Sequence, residues 1–431
     1  MLQDYLDRAS PPPRGRRKSG TGGLDSNVQN LSYLWDTAGN LTSRSDLRQV
    51  LTESFTYDAL DRMTLASGPG VQSMSVSYDS IGNITSKSDV GSYTYHATKK
   101  HAVVSAGGTS YTYDPNGNLE TRGGQTVSWR SYNLPYVTGG PGGYTATFSY
   151  ASDRSRWKQV STYSGTTETT IYVGGLLEKL TTGTRTHWKH LIATPSGQVQ
   201  VIRRSDGTNE TLYVTTDHLG STDAVLNASG AVLLQASFGA YGARRGSNLQ
   251  GAPSPSEWQA VADNTRRGYT GHEALDNVML IHMNGRVFDP AIGRFLSPDP
   301  YDDGPDSTQG WNRYAYVHGR TMSATDPSGF IGVDGPSISP LDTALRWGVQ
   351  TAIQVLGDVF SGGPKGPSPA QQQVLRDAGY VKNTIGKGRV SIVTWTTPDG
   401  HEIGNVSARA VAREKSSASS LPDSCSSEIL G

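Results

Sequence analysis

The chain has 431 residues, 38 Lys plus Arg against 38 Asp plus Glu, and a formal net charge of zero. Such a balance gives no global pull toward nucleic acid or acidic membranes. A single cysteine, Cys425, rules out an internal disulfide framework and any Cys-based zinc site. Hydrophobic residues make up 35% and glycines number 51, the composition of a chain that spends many residues on turns.

In chain order, the first 28 residues carry the basic run Pro11-Pro12-Pro13-Arg14-Gly15-Arg16-Arg17-Lys18 with no apolar stretch of secretory type. They are expected to be a disordered lead-in. No stretch of the chain has the length of an uncharged membrane span.

From about residue 33 one pattern recurs: an aromatic-Asp pair, a turn with Gly or Asn, then an aliphatic residue. The clear copies are Trp35-Asp36-Thr37-Ala38-Gly39-Asn40-Leu41, Tyr78-Asp79-Ser80-Ile81-Gly82-Asn83-Ile84 and Tyr113-Asp114-Pro115-Asn116-Gly117-Asn118-Leu119. Tyr57-Asp58-Ala59-Leu60-Asp61-Arg62-Met63 is a degenerate copy, and Tyr95-His96, Tyr132-Asn133 and Tyr150-Ala151 extend the series. The alternation of Tyr111 and Tyr113 with Thr112 reads as a half-buried strand, and Asn116-Gly117 as a two-residue hairpin turn. A strand-turn-strand unit of roughly twenty residues is too small to bury its own face, so neighbours must stack. The fold expected is therefore all-β.

A second set of motifs follows: Asp217-His218-Leu219-Gly220-Ser221-Thr222, Phe238-Gly239-Ala240-Tyr241-Gly242, Gly268-Tyr269-Thr270-Gly271-His272-Glu273, Asn284-Gly285-Arg286-Val287-Phe288-Asp289-Pro290, Gly293-Arg294-Phe295-Leu296-Ser297-Pro298-Asp299-Pro300, Asn312-Arg313-Tyr314-Ala315-Tyr316 and Asp326-Pro327-Ser328-Gly329. This ordered set resembles the RHS repeat-associated core domain, and the upstream units resemble its YD repeats. The resemblance covers about residues 30 to 330. It implies a spiralling antiparallel YD-repeat β-shell, open or partial here, closed by the core block. The division expected is a shell at 29–204, a core block at 205–330 and a variable C-terminal segment at 331–431.

The resemblance also implies a job: enclosing and delivering that variable segment in competition between bacteria. Its own C-terminal segment is then the cargo, an immunity protein and a secretion-system component are the partners, and the location is secreted or cell-surface. No cofactor and no metal are implied. Related shells serve cell-surface adhesion, so an adhesive protein with an inactive tail is the other reading. Self-cleaving members cut the segment free with an aspartate pair. Carried onto this chain, the pair is Asp299 and Asp326, and the cut follows Phe330. Four departures count against it, among them Phe330 where self-cleaving members usually carry Leu and a longer intervening stretch with Gln309 ahead of Asn312-Arg313-Tyr314. The first motif runs Asp299-Pro300-Tyr301-Asp302-Asp303-Gly304 rather than Asp-Pro-x-Gly, and Pro298 stands where self-cleaving members carry Arg. A structural plug built on the same motifs is the preferred reading.

After Gly329 the repeat ends. Asp342, Arg346, Gln350, Gln354 and Asp358 recur every four residues through an otherwise apolar stretch, which predicts a helix over 341–360. A Gly/Pro linker follows at 361–369, and Arg389-Val390-Ser391-Ile392-Val393-Thr394-Trp395-Thr396-Thr397 predicts a strand leading into a hairpin near 389–404. His401 is the only histidine of the tail, so a two-His metal site is excluded there.

Overall fold

The computed structural model describes residues 27–194, 197–301, 309–330 and 332–334, residue 376, and the short strands Arg17–Lys18, Val381–Ile385, Ile392–Thr396 and Glu402–Ile403. The chain divides into two compact units, Met1–Lys365 and Gly366–Gly431. In the first, 22 strands from Arg17–Lys18 to Val232–Gln235 form one sheet. Every strand pairs antiparallel with its neighbours in sequence, so the sheet is one continuous meander.

The repeated turn explains the repeated letters. In the copies at Asp36, Asp79 and Asp114, carboxylate Oδ1 accepts from the backbone N–H four residues on, at 2.8 Å each. Oδ2 accepts from the side-chain amide of the same residue, Asn40, Asn83 or Asn118. Asp58 does the same with Arg62, whose Nε lies 2.7 Å away. The third residue after each Asp has positive φ: Gly39 (+86°), Asp61 (+59°), Gly82 (+84°) and Gly117 (+91°). The ladder register slips at the aromatic residue, as between Ser77 and Tyr78. Asn116-Gly117 is thus not a two-residue turn. Only Gly117 takes positive φ there, because the Asp114 carboxylate caps a longer loop. The slot expected at Tyr132-Asn133 is also shifted. Arg130 N–H pairs with Leu134 O, and Asn133 (φ +61°) occupies the glycine position, so Trp129-Arg130 fills the aromatic-Asp slot.

The aromatic of each unit then reaches back to the unit before. Tyr57 Oη donates to Leu41 O (2.6 Å), Tyr78 to Met63 O (2.8 Å), Tyr95 to Ile84 O (2.8 Å) and Tyr150 to Pro135 O (2.8 Å). Trp129 Nε1 makes the equivalent bond to Leu119 O at 2.7 Å. Alternation along each strand, as in Leu51–Tyr57, turns Phe55, Val76, Tyr93 and Tyr111 onto one buried face.

The core block packs against that face. Its small sheet, Glu273–Leu275, Leu280–Met283, Arg286–Asp289 and Arg294–Phe295, is buried at every position, so these strands are covered on both sides. Phe288, Phe295, Tyr269 and Tyr316 share one apolar cluster with Leu41, Met63, Ile84 and Leu119 of the repeats. The sheet does not stop at residue 204: Asn209–Thr216, Thr222–Leu226 and Val232–Gln235 continue its ladder. Nor is the lead-in featureless. Arg17–Lys18 pairs with Ser32 and Tyr33, and Val28 is buried against Ala224 and Leu226. Gln29 Nε2 donates to Thr216 O and to Asp223 Oδ2, which brings the beginning of the sheet against its end.

In the second unit, Val381–Ile385, Ile392–Thr396 and Glu402–Ile403 form a three-stranded antiparallel sheet, with Trp395 opposite Ile403. The helix expected over 341–360 and the linker at 361–369 lie outside the described residues. Among the described residues no helix is long and apolar enough to cross a membrane.

Glu53 tests how the sheet is joined to the block behind it. It is 1% exposed and takes Arg44 Nη2 at 2.8 Å and Arg245 Nη2 at 2.7 Å. Burial alone raises its pKa, but the two guanidinium groups outweigh that and hold it at about 2. Because the folded value is depressed, the stabilisation is present above the unfolded carboxylate pKa and is lost as pH falls through about 2. Glu53→Gln removes the counter-charge of buried Arg245 and half-buried Arg44. Urea denaturation at neutral pH should show a loss of about 3–5 kcal/mol, with a shallower acid-side decline than the parent chain.

Candidate functional site

The final turn of the core block, Asp326-Pro327-Ser328-Gly329-Phe330, repeats the geometry of the repeat turns. Asp326 Oδ1 accepts from Phe330 N–H at 2.9 Å, and Gly329 has φ +76°. The difference lies at the fourth residue. Where the repeats place Asn or Arg to satisfy Oδ2, this turn has Phe330, whose ring offers no donor. Arg286 takes that place, with Nη2 lying 3.3 Å from Asp326 Oδ2.

The same nitrogen lies 2.8 Å from Asp299 Oδ2. Asp299 and Asp326, far apart in sequence, therefore meet at one guanidinium, and all three side chains are buried. Two buried carboxylates side by side repel unless a proton or a cation lies between them. Here a cation does. The cation comes from an inner strand of the small sheet, Arg286–Asp289, not from position 298, which is Pro298. Its planar group also lies over the Phe295 ring, 3.6 Å from the centroid, donates from Nη1 to Arg313 O at 3.1 Å and from Nε to Gly329 O. A guanidinium with five fixed donors suits this place in a way that an ammonium does not.

The peptide between Gly329 and Phe330 is held at both ends: Arg286 binds its carbonyl and Asp326 its N–H. His272 holds the turn from the other side, its Nε2 lying 3.2 Å from Pro327 O. Burial lowers the His272 pKa, disfavouring the charged ring. Beyond Phe330, Val333–Asp334 pairs with Ala324–Thr325. Asp299, Asp326, Arg286, Tyr301 and Phe330 line one small open pocket. Among the described residues no group of three or more His, Cys, Asp or Glu is placed to hold a metal.

Sequence reasoning placed Asp299, Asp326 and Phe330 as a possible group, and the fold brings all three to this pocket. It missed Arg286 and His272. A signal for Arg286 was present: an arginine inside the apolar strand of Asn284-Gly285-Arg286-Val287-Phe288-Asp289-Pro290 needs a buried acid. His218, by contrast, is a framework residue. Its Nε2 lies 3.0 Å from Met322 O and its ring packs on Tyr33 at 4.6 Å.

Arg286→Met should leave the two buried carboxylates without their counter-charge. Chemical denaturation should report a loss of about 3–5 kcal/mol, and adding Asp299→Asn should restore part of it.

The chain matches the model of the Teneurin YD-shell family over residues 24–318. It is 28% identical over 226 residues to the tRNA3(Ser)-specific nuclease WapA of Bacillus spizizenii and 27% identical over 226 residues to the tRNA nuclease WapA of Bacillus subtilis. Each match covers 51% of this chain and 9% of the relative, so the chain spans only a small part of those proteins. Among solved structures it is similar to the TcdB2-TccC3-Cdc42 complex, with a TM-score of 0.57, 20% identity, and coverage of 70% of this chain and 17% of that one. TcdB2-TccC3 without its hypervariable C-terminal region gives 0.54 and 20% over the same shares. These last likenesses speak to the fold: an antiparallel sheet of stacked hairpins. With its repeats, its turn chemistry and a family match over well over half its length, the chain belongs to the Teneurin YD-shell family.

Proposed function

We propose that this chain is a toxin-type shell protein that anchors a variable C-terminal segment, residues 331–431, and presents it for delivery as an effector between bacteria. The observation that carries this reading is the ionic clamp at the end of the core block. Arg286, Asp299 and Asp326 fix the chain at Phe330, so the departure point of the segment does not depend on the segment's own sequence. The relatives fit this reading. WapA proteins are named as tRNA nucleases, and TccC3 has been solved without a hypervariable C-terminal region. An immunity protein and a secretion-system component are the partners this role calls for, and the secreted or cell-surface location goes with it. Expression of residues 331–431 alone in bacteria should arrest growth, scored by plating; normal growth at confirmed expression removes the effector role of the segment.

A second reading is favoured by one observation: both aspartates and Phe330 line the same pocket. In it the chain cuts itself after Phe330. In that reaction one aspartate is ionised and the other protonated: the carboxylate takes a proton from water, whose oxygen adds to the Phe330 carbonyl carbon, and the protonated aspartate gives its proton to the nitrogen of Ile331 as the peptide bond breaks. The core block then serves as plug and protease together. Intact mass of the purified chain separates the readings. A product beginning at Ile331, absent in Asp299→Asn and Asp326→Asn, is the outcome expected of cleavage; a single full-length mass leaves the clamp alone.

A further inference from the structure

Phe330 stands at the one place where the clamp meets the departing chain, and its ring is received in an unusual way. Gly285 lies on the short connection between Leu280–Met283 and Arg286–Asp289, and its N–H donates to Ser328 O at 2.8 Å. A Cβ added to Gly285 would fall 2.2, 2.3 and 2.7 Å from Cε2, Cζ and Cδ2 of Phe330. Its φ lies outside the left-handed region, so backbone conformation does not require glycine there. The phenyl ring does. On the next side Tyr301 meets the ring edge-on, with centroids 5.7 Å apart and planes at 83°. The Arg286 guanidinium lies 5.9 Å from the same ring. Tyr301 is 62% exposed, yet its N–H is fixed by Asp299 Oδ1 at 2.9 Å, so the residue that flanks the ring is tied to the clamp.

We infer that Gly285, Tyr301 and Arg286 form a slot that selects an aromatic side chain at position 330, the last residue before the variable segment. This deepens the clamp and self-cleavage readings above and rests on them for its biological meaning. The physical basis is separate: edge-to-face and cation–π contacts reward a flat ring, and the space it needs exists only while residue 285 has no side chain. Aliphatic residues fit the width of the slot but forgo both ring contacts, and a charged residue would compete with the buried ion triad. Tyr301 and Gly285 are positioning residues in this account, acting through Phe330.

The test is a double-mutant cycle on the full chain with Gly285→Ala, Phe330→Ala and the pair, read by thermal unfolding and by intact mass. Gly285→Ala should lower the Tm by about 2–4 °C when Phe330 is present. In the Phe330→Ala background the same change should shift Tm by less than about 1 °C, because the clash is gone. If the chain cleaves itself, Gly285→Ala should slow release at least about tenfold, and the double variant should be no slower than Phe330→Ala alone. Equal Tm shifts in both backgrounds overturn the slot. A parent chain that stays at full-length mass ends the cleavage reading, while the Tm coupling still decides the slot.

Discussion

One bond recurs along the sheet and cannot be made by a single hairpin: the aromatic side chain of one unit donating to a backbone carbonyl of the unit before it. Tyr57, Tyr78, Tyr95, Trp129 and Tyr150 all do this. Each donor is carried on a ring that also fills the common core, so burial and hydrogen bonding are satisfied by the same placement. A lone unit would leave its ring exposed and its hydroxyl to water. Order therefore propagates from neighbour to neighbour, as in other repeat proteins.

The aspartate turns make this stacking possible by spending no external donor on the loop. Each carboxylate satisfies backbone N–H groups of its own turn and one side chain from its fourth residue. The core block reuses this device at Asp326 and alters one letter, so that a carboxylate oxygen which the repeats satisfy internally is taken up by Arg286 from another strand. A local turn thereby becomes a long-range anchor. Electrostatics does the joining elsewhere too: Glu53 lies between Arg44 and Arg245, and Arg122 pairs with Asp289, which is fully buried. Their partners offset much of the cost of desolvating these charges, although burial still raises the pKa of Asp289.

The clamp holds the end of the core block through residues that lie far apart in sequence. Among the described residues, the Phe330 N–H is taken by the Asp326 carboxylate and the Ser328 hydroxyl, and the guanidinium of Arg286 holds the Gly329 carbonyl just before it. Beyond it, Val333 and Asp334 pair antiparallel with Thr325 and Ala324.

The repeats and the all-β class were legible in the residues, because turn chemistry and strand alternation act over a few positions at a time. The motifs also named Asp299, Asp326 and Phe330. Two details were misread: Asn116-Gly117 belongs to a longer loop capped by the Asp114 carboxylate rather than a two-residue turn, and the aromatic-Asp slot expected at Tyr132-Asn133 falls at Trp129-Arg130, where Arg130 N–H pairs with Leu134 O. Arg286 as the partner of both aspartates, His272 behind the turn and Gly285 beneath the ring were decided by the tertiary structure alone. Which buried charge meets which, and which glycine must stay bare, depends on how strands distant in sequence are stacked. No local propensity records that distance.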